Sequence, residues 1–139
     1  LNPQKGLNII LEPGLKKLAI ANPKHAPYGR AAEESLRYYG LWDKVPGKLV
    51  FGENISQTAQ FVQTGAADAG IIAMSLAISP GMADSGSYWI IPTESYSRLE
   101  QVYTVLQRGK DKSSVKTFLA FAQGKNGKKI LSDFGFILP

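Results

Sequence analysis

The sequence contains no cysteine, which excludes a disulfide framework, a thiolate metal site and a cysteine nucleophile while leaving the redox compartment open. It holds one histidine, His25. Multi-histidine metal sites are thereby excluded, and a Ser-His-Asp triad would have to run through that residue. No run approaches the roughly 18 consecutive apolar residues of a membrane span, and stretches such as Gly70 to Ala73 are strand-sized, so the chain is read as not membrane-spanning. An initial methionine and a basic-then-apolar leader are also absent, so a targeting peptide is expected to have been removed or never present.

What remains is 139 residues, 44% hydrophobic and 19% charged, with a mean hydropathy of −0.11. That is enough for one compact module and too apolar for a disordered chain. The net charge of +5 is unevenly spread. Residues 1–49 carry eight cations and four anions, residues 50–100 one and five, and residues 101–139 seven and two. Basic ends around an acidic middle suit an anionic ligand or nucleic acid. Tyr38-Tyr39 with the Lys/Arg set lacks a stacking-platform motif, however, and core plus solvated surface is the preferred reading, with no nucleic-acid partner.

The pattern along the chain predicts an α/β unit. After a loop over 1–16, Lys17 to Ala21 is a short apolar run stopped by Asn22-Pro23, as for a buried strand. Pro27 suits a first helical position; Ala31, Ala32, Leu36 and Tyr39 recur at helical spacing, and Gly40 supplies the stop. Lys48 to Phe51 reads as a second strand. Asn54 then caps a second helix, with Gln57 as the return half of a capping box and Gly65 at its end. Asp68 to Met74 is expected as a third strand, and Tyr88–Ile91 and Val102–Leu106 as two more, with Ser79 to Ser87 a loop and Pro92 to Leu99 an irregular connection. Ser113 to Ala122 and Gly127 to Phe134 have helical spacing. The alternation of strands and helices predicts a mixed, largely parallel sheet flanked by helices.

Ligands of such units sit beyond the carboxyl ends of the strands, where helix starts present unpaired N–H groups and a partial positive charge. Two such ends occur here. One offers the amides of Tyr28 and Gly29, the other those of Ile55 and Ser56, and neighbouring strands would let the pair clamp a small anion. The alternative is local capping by side chains or water. His25 is read as loop packing, because no carboxylate is placed by the sequence to orient it. Glu33-Glu34 point about 100° apart on a helix and are read as solvated rather than paired. Gly124 to Lys129 lacks the spacing and the preceding strand of a phosphate loop and is set aside.

Several segments together resemble a known family: Ile20-Ala-Asn-Pro-Lys-His-Ala-Pro-Tyr-Gly-Arg-Ala-Ala-Glu-Glu34, Leu41-Trp-Asp-Lys44, Gly52-Glu-Asn-Ile-Ser-Gln57, Phe61 to Gly70, Tyr88-Trp-Ile-Ile-Pro92 and Phe134-Gly-Phe-Ile-Leu-Pro139. In order and spacing they are similar to the periplasmic molybdate/tungstate-binding proteins of ABC importers, a type II periplasmic-binding-protein family. The resemblance implies two lobes with a tetrahedral oxyanion in the cleft between them. It places residues 17–101 in the second lobe, with Val102–Leu106 as the returning crossover strand at the head of a 102–139 segment that ends in C-terminal helices; the first lobe's sheet is not encoded here.

By the same resemblance the second lobe's contribution is the N–H groups of Tyr28 and Ile55, with Gly29 and Ser56 as further candidates. A tyrosine hydroxyl used by some members corresponds to Ala73, so that contact is not expected. The implied function is the binding component of an extracytoplasmic importer, with molybdate or tungstate as ligand, an ABC permease as partner, no cofactor, no metal-cation ligands and no catalysis. The apolar residues Phe118, Leu119, Phe121, Ile130, Leu131 and Phe134 lack their usual covering sheet, which predicts a homodimer or a helix-swapped assembly. The rival reading is a lobe persisting as a homo-oligomeric interaction module without oxyanion binding; a basic nucleic-acid-binding module ranks below it.

Overall fold

A computed structural model describes residues 2–138; Leu1, which opens the first expected segment, and Pro139, which closes the last, lie outside the described residues. The chain divides into two compact units, Leu1–Leu99 and Glu100–Pro139. In the first, strand β1 (Leu18–Ala21) leads to helix α1 (Pro27–Tyr38), β2 (Leu49–Gly52) to α2 (Ile55–Gln63), and β3 (Ala69–Gly70) to a single turn, α3 (Met74–Ala77). The sheet order is β2-β1-β3 and both pairings are parallel. Leu18 pairs with Leu49 and Ala21 with Gly52, so β1 and β2 end level.

The central position of β1 explains its composition. All four of its residues are buried, as in a strand covered on both faces. Leu18 and Ile20 join Leu36 from α1 and Leu41 and Val45 from the turns after it in one apolar cluster. Leu7, Ile10 and Leu15 complete that cluster. The segment expected as a loop over 1–16 is therefore part of the core, and Pro3–Leu11 forms 3-10 turns kinked at Gly6. Lys48 Nζ secures it by donating to the main-chain oxygen of Ile10 at 2.8 Å.

The helix limits follow local chemistry. Pro27 occupies the first turn of α1, and Gly40 and Gly65, with φ of +65° and +73°, stop α1 and α2 in the left-handed region that favours glycine. Asn54 caps α2 by accepting from the Gln57 N–H at 2.9 Å. The return bond differs from the expected capping box: Gln57 Oε1 accepts from the N–H of Glu53 at 2.7 Å, one residue upstream of the cap.

Three expected strands require correction. The run Asp68 to Met74 pairs with β1 only over Ala69–Gly70, with one further bond from the Ile71 N–H to the Ala19 oxygen at 2.9 Å, and Met74 already begins α3. A short apolar run fits strand or helix equally, and Met-Ser-Leu-Ala contains good helix formers. Tyr88–Ile91 and Val102–Leu106 are not strands among the described residues. Their β-branched and aromatic character describes a side chain suited to a sheet, but a strand also needs an adjacent edge to pair with.

In the second unit, α4 (Ser113–Gln123) and α5 (Lys125–Asp133) form a helical hairpin hinged at Gly124. The Gly124–Lys129 segment set aside above is this junction and the first turn of α5. Phe118, Phe121, Ile130 and Phe134 are exposed, whereas Leu119 and Leu131 are partly buried. Among the described residues no helix is long and apolar enough to cross a membrane.

Candidate functional site

Because β1 and β2 are parallel neighbours ending level, the turns after them emerge side by side and carry the starts of α1 and α2. The ladder extends one bond past the strands, from the Asn22 N–H to the Gly52 oxygen at 2.8 Å. The two helix starts named from the sequence are thus brought together at one edge of the sheet.

Their amides are not equivalent. Pro27, at the first position of α1, has no N–H, so the first donor of α1 is Tyr28. In α2 the first position is Ile55, and its amide is available along with that of Ser56. Gly29 donates to the Ala26 oxygen at 3.0 Å, and Gln57 to the Asn54 cap. Among the described residues no acceptor takes the N–H of Tyr28, Ile55 or Ser56. Such groups carry the positive end of the helix dipole.

Glycine permits the close fit behind these starts. A Cβ on Gly29 would lie 2.2 Å from the Ala21 carbonyl oxygen, and one on Gly52 would lie 2.5 Å from Thr58 Oγ1. The first turn of each helix therefore seats against a strand end with no room for a side chain. Partial burial, and secondarily Tyr96, hold the Tyr28 hydroxyl above the usual phenol range, so it is neutral at physiological pH.

The remaining candidates separate. Glu33 pairs with Arg37 Nη2 at 2.8 Å, while Glu34 Oε2 accepts from the Ser97 N–H at 2.6 Å, so the two carboxylates do different things. His25, for which the sequence offered no carboxylate, lies 3.3 Å from Glu53 Oε2, a neighbour 28 positions away that no spacing argument indicates. Ala73 is the N-cap of α3 and supplies no hydroxyl. A cleft of about 530 Å³ runs along α2 from Asn54 and Ser56 to Met82; its lining has no titratable side chain and includes nothing from α1. Among the described residues no cluster of three or more His, Asp or Glu could hold a metal ion.

Comparison with known proteins gives a consistent result. The family model for bacterial extracellular solute-binding proteins matches residues 2–137. The chain is 34% identical over 128 residues to the molybdate-binding protein ModA of Azotobacter vinelandii, covering 92% of this chain and 51% of that protein. ModA of Rhodobacter capsulatus is also 34% identical over 128 residues, with 92% and 50% covered. The chain thus spans about half the length of the curated relatives it matches. Among solved structures, the periplasmic molybdate-binding protein of A. vinelandii superposes with a TM-score of 0.85 at 27% identity, over 99% of this chain and 60% of that one. The substrate-binding domain of a Clostridium difficile protein described as a putative molybdenum ABC transporter gives 0.68 at 26% identity, over 94% and 56%.

Proposed function

This chain belongs to the bacterial extracellular solute-binding protein family, and from that premise we propose that it is the oxyanion-binding part of a molybdate or tungstate importer's binding component. The observation that carries this reading is the pair of level, adjacent strand ends, each feeding a helix whose first free amides, Tyr28 in α1 and Ile55 with Ser56 in α2, lack an acceptor. A tetrahedral dianion needs several donors at fixed separation, and main-chain amides provide them without a permanent charge that would slow release. Gly29, named with them from the sequence, serves the turn instead. The protein works outside the cytoplasm, delivers its anion to an ABC permease, uses no cofactor and catalyses no reaction.

Ile55→Pro tests the assignment. Proline at a first helical position keeps the helix and deletes that donor, as Pro27 illustrates in α1. Asn54 already has the extended backbone, φ −150° and ψ 174°, that a following proline requires. Calorimetry should show tungstate and molybdate binding by the parent chain and a loss of roughly ten- to a hundredfold in the variant, the worth of one charge-assisted bond of about 1.5–3 kcal/mol. Unchanged affinity in a variant with native circular dichroism removes Ile55 from the site.

A second reading, a homo-oligomeric module that holds no oxyanion, is favoured by the exposed Phe118, Phe121, Ile130 and Phe134. Self-association without calorimetric heat from either anion would establish it.

A further inference from the structure

The two turns that carry the helix starts are tied to each other at corresponding positions. His25 immediately precedes Ala26, the N-cap of α1, and Glu53 immediately precedes Asn54, the N-cap of α2. His25 Nε2 lies 3.0 Å from the main-chain oxygen of Glu53. A carbonyl oxygen only accepts, so Nε2 donates in this contact.

Both ends of the tie are themselves anchored. The His25 N–H donates to the Asn22 oxygen at 3.3 Å, inside a turn that Asn22 Oδ1 also holds by accepting from the Lys24 N–H at 3.0 Å. On the other side, the N–H of Glu53 donates to Gln57 Oε1 at 2.7 Å, so the residue is gripped through its N–H from α2 and through its C=O from the α1 turn. The Glu53–Asn54 peptide is planar and trans, so the direction of its C=O also sets the direction of the Asn54 N–H and the path by which the chain enters α2. The Asn22–Gly52 bond lies nearer the sheet, which leaves His25 as a tie beyond the ladder.

We infer that His25 is a positioning and specificity-determining residue: it braces the start of α2 against the start of α1 and so fixes the spacing of their first amides. The brace stands on the geometry alone; its consequence for ligands rests on the oxyanion reading above. Fixed donors discriminate between tetrahedral dianions of different size, such as sulfate and the larger molybdate, only while their spacing cannot relax to suit the smaller ion. Loosening the brace therefore weakens molybdate binding and narrows the margin over sulfate.

The test uses His25→Ala, His25→Gln and His25→Asn in this chain. The imidazole is about half exposed and the sheet bond remains, so all three should fold. Gln sets an amide nitrogen the same number of bonds from Cα as the imidazole Nε2, whereas the Asn nitrogen corresponds to Nδ1 and falls short. Solvent exchange of the hydrogen-bonded Glu53 and Gln57 amides at the start of α2 is read by nuclear magnetic resonance without anion, and affinities for sodium molybdate and sodium sulfate are read by calorimetry. Exchange in the Ala and Asn variants should quicken about two- to tenfold, the worth of one hydrogen bond, and remain at the parent rate in Gln. Molybdate affinity and the molybdate-to-sulfate ratio should fall in the same order.

Unchanged exchange in His25→Ala, or equal behaviour of Asn and Gln, overturns the brace. If exchange follows the expected order while the parent chain itself binds neither anion, the brace is upheld and the oxyanion reading falls. If the parent binds and the ratio is the same in all variants, the specificity role is overturned.

Discussion

Asp68, just before β3, ties the segment leading into β1 to the segment leading into β3 through one carboxylate oxygen. Its Oδ2 accepts from the N–H of Lys17 at 2.7 Å and of Lys16 at 2.8 Å. The bond from the Lys17 N–H first and that from Lys16 second hold the carboxyl below its ordinary range against the opposing effect of desolvation, and the charges of both lysines add to the lowering. A carboxyl whose folded pKa lies below its unfolded value of about 3.9 stabilises the fold fully above that unfolded value, and the contribution is lost as pH falls through the folded value. In urea titrations, the parent should exceed Asp68→Asn in midpoint by a constant amount above about pH 5, and the gap should close as pH drops below about 4. A gap independent of pH down to 2.5 would assign the effect to packing rather than charge.

At the scale of elements, the contact of α1 with β1 depends on a missing side chain. The Cβ introduced by Gly29→Ala would overlap the Ala21 oxygen at 2.2 Å and the Asn22 carbonyl carbon at 2.7 Å, both main-chain atoms that cannot rotate away. Helix propensity alone would favour alanine by about 1 kcal/mol, but forcing α1 off the strand end should outweigh that and destabilise the chain by about 1–3 kcal/mol. Denaturant unfolding decides the sign. Gly14→Ala is the comparison, since no atom lies within 4 Å of a Cβ there and little change is expected. The Tyr28 amide is carried by the same turn, so on the proposed function Gly29→Ala should also weaken anion binding.

For the whole molecule, the consequence lies in surface left uncovered. Phe118 is 65% exposed and Phe121 and Ile130 are each 49% exposed, an apolar display that water disfavours by up to about 1.5–3 kcal/mol for each large side chain fully uncovered. Two of the six residues expected to be wet, Leu119 and Leu131, are partly buried, which reduces the driving force without removing it. Light scattering at micromolar concentration should therefore report a dimer or larger species. Phe118→Asp combined with Phe121→Asp should shift it to monomer, because association would then bury unpaired charge. A parent chain that scatters as a monomer at 100 μM would refute the covering of these faces by a second copy.

The limits of α1 and α2 were determined by the sequence itself, through Pro27, Asn54, Gln57, Gly40 and Gly65, because capping, turn chemistry and the 3.6-residue period act between neighbours a few positions apart. So was the placing of Tyr28 and Ile55 at helix starts. Tertiary structure decided the rest. The apolar segments Tyr88–Ile91 and Val102–Leu106 carry the residues of strands yet pair with nothing among the described residues, and the run from Asp68 yields a two-residue β3 before turning into α3. The N-terminal segment, read as a loop from Pro3, Gly6, Pro13 and Gly14, places Ile10 and Leu15 in the core. His25 acquires its partner only when β1 and β2 lie side by side. The physical reason is common to all four: a strand, a core position and a bond between turns each need a counterpart distant along the chain, and a local pattern specifies one side of such a contact without specifying the other.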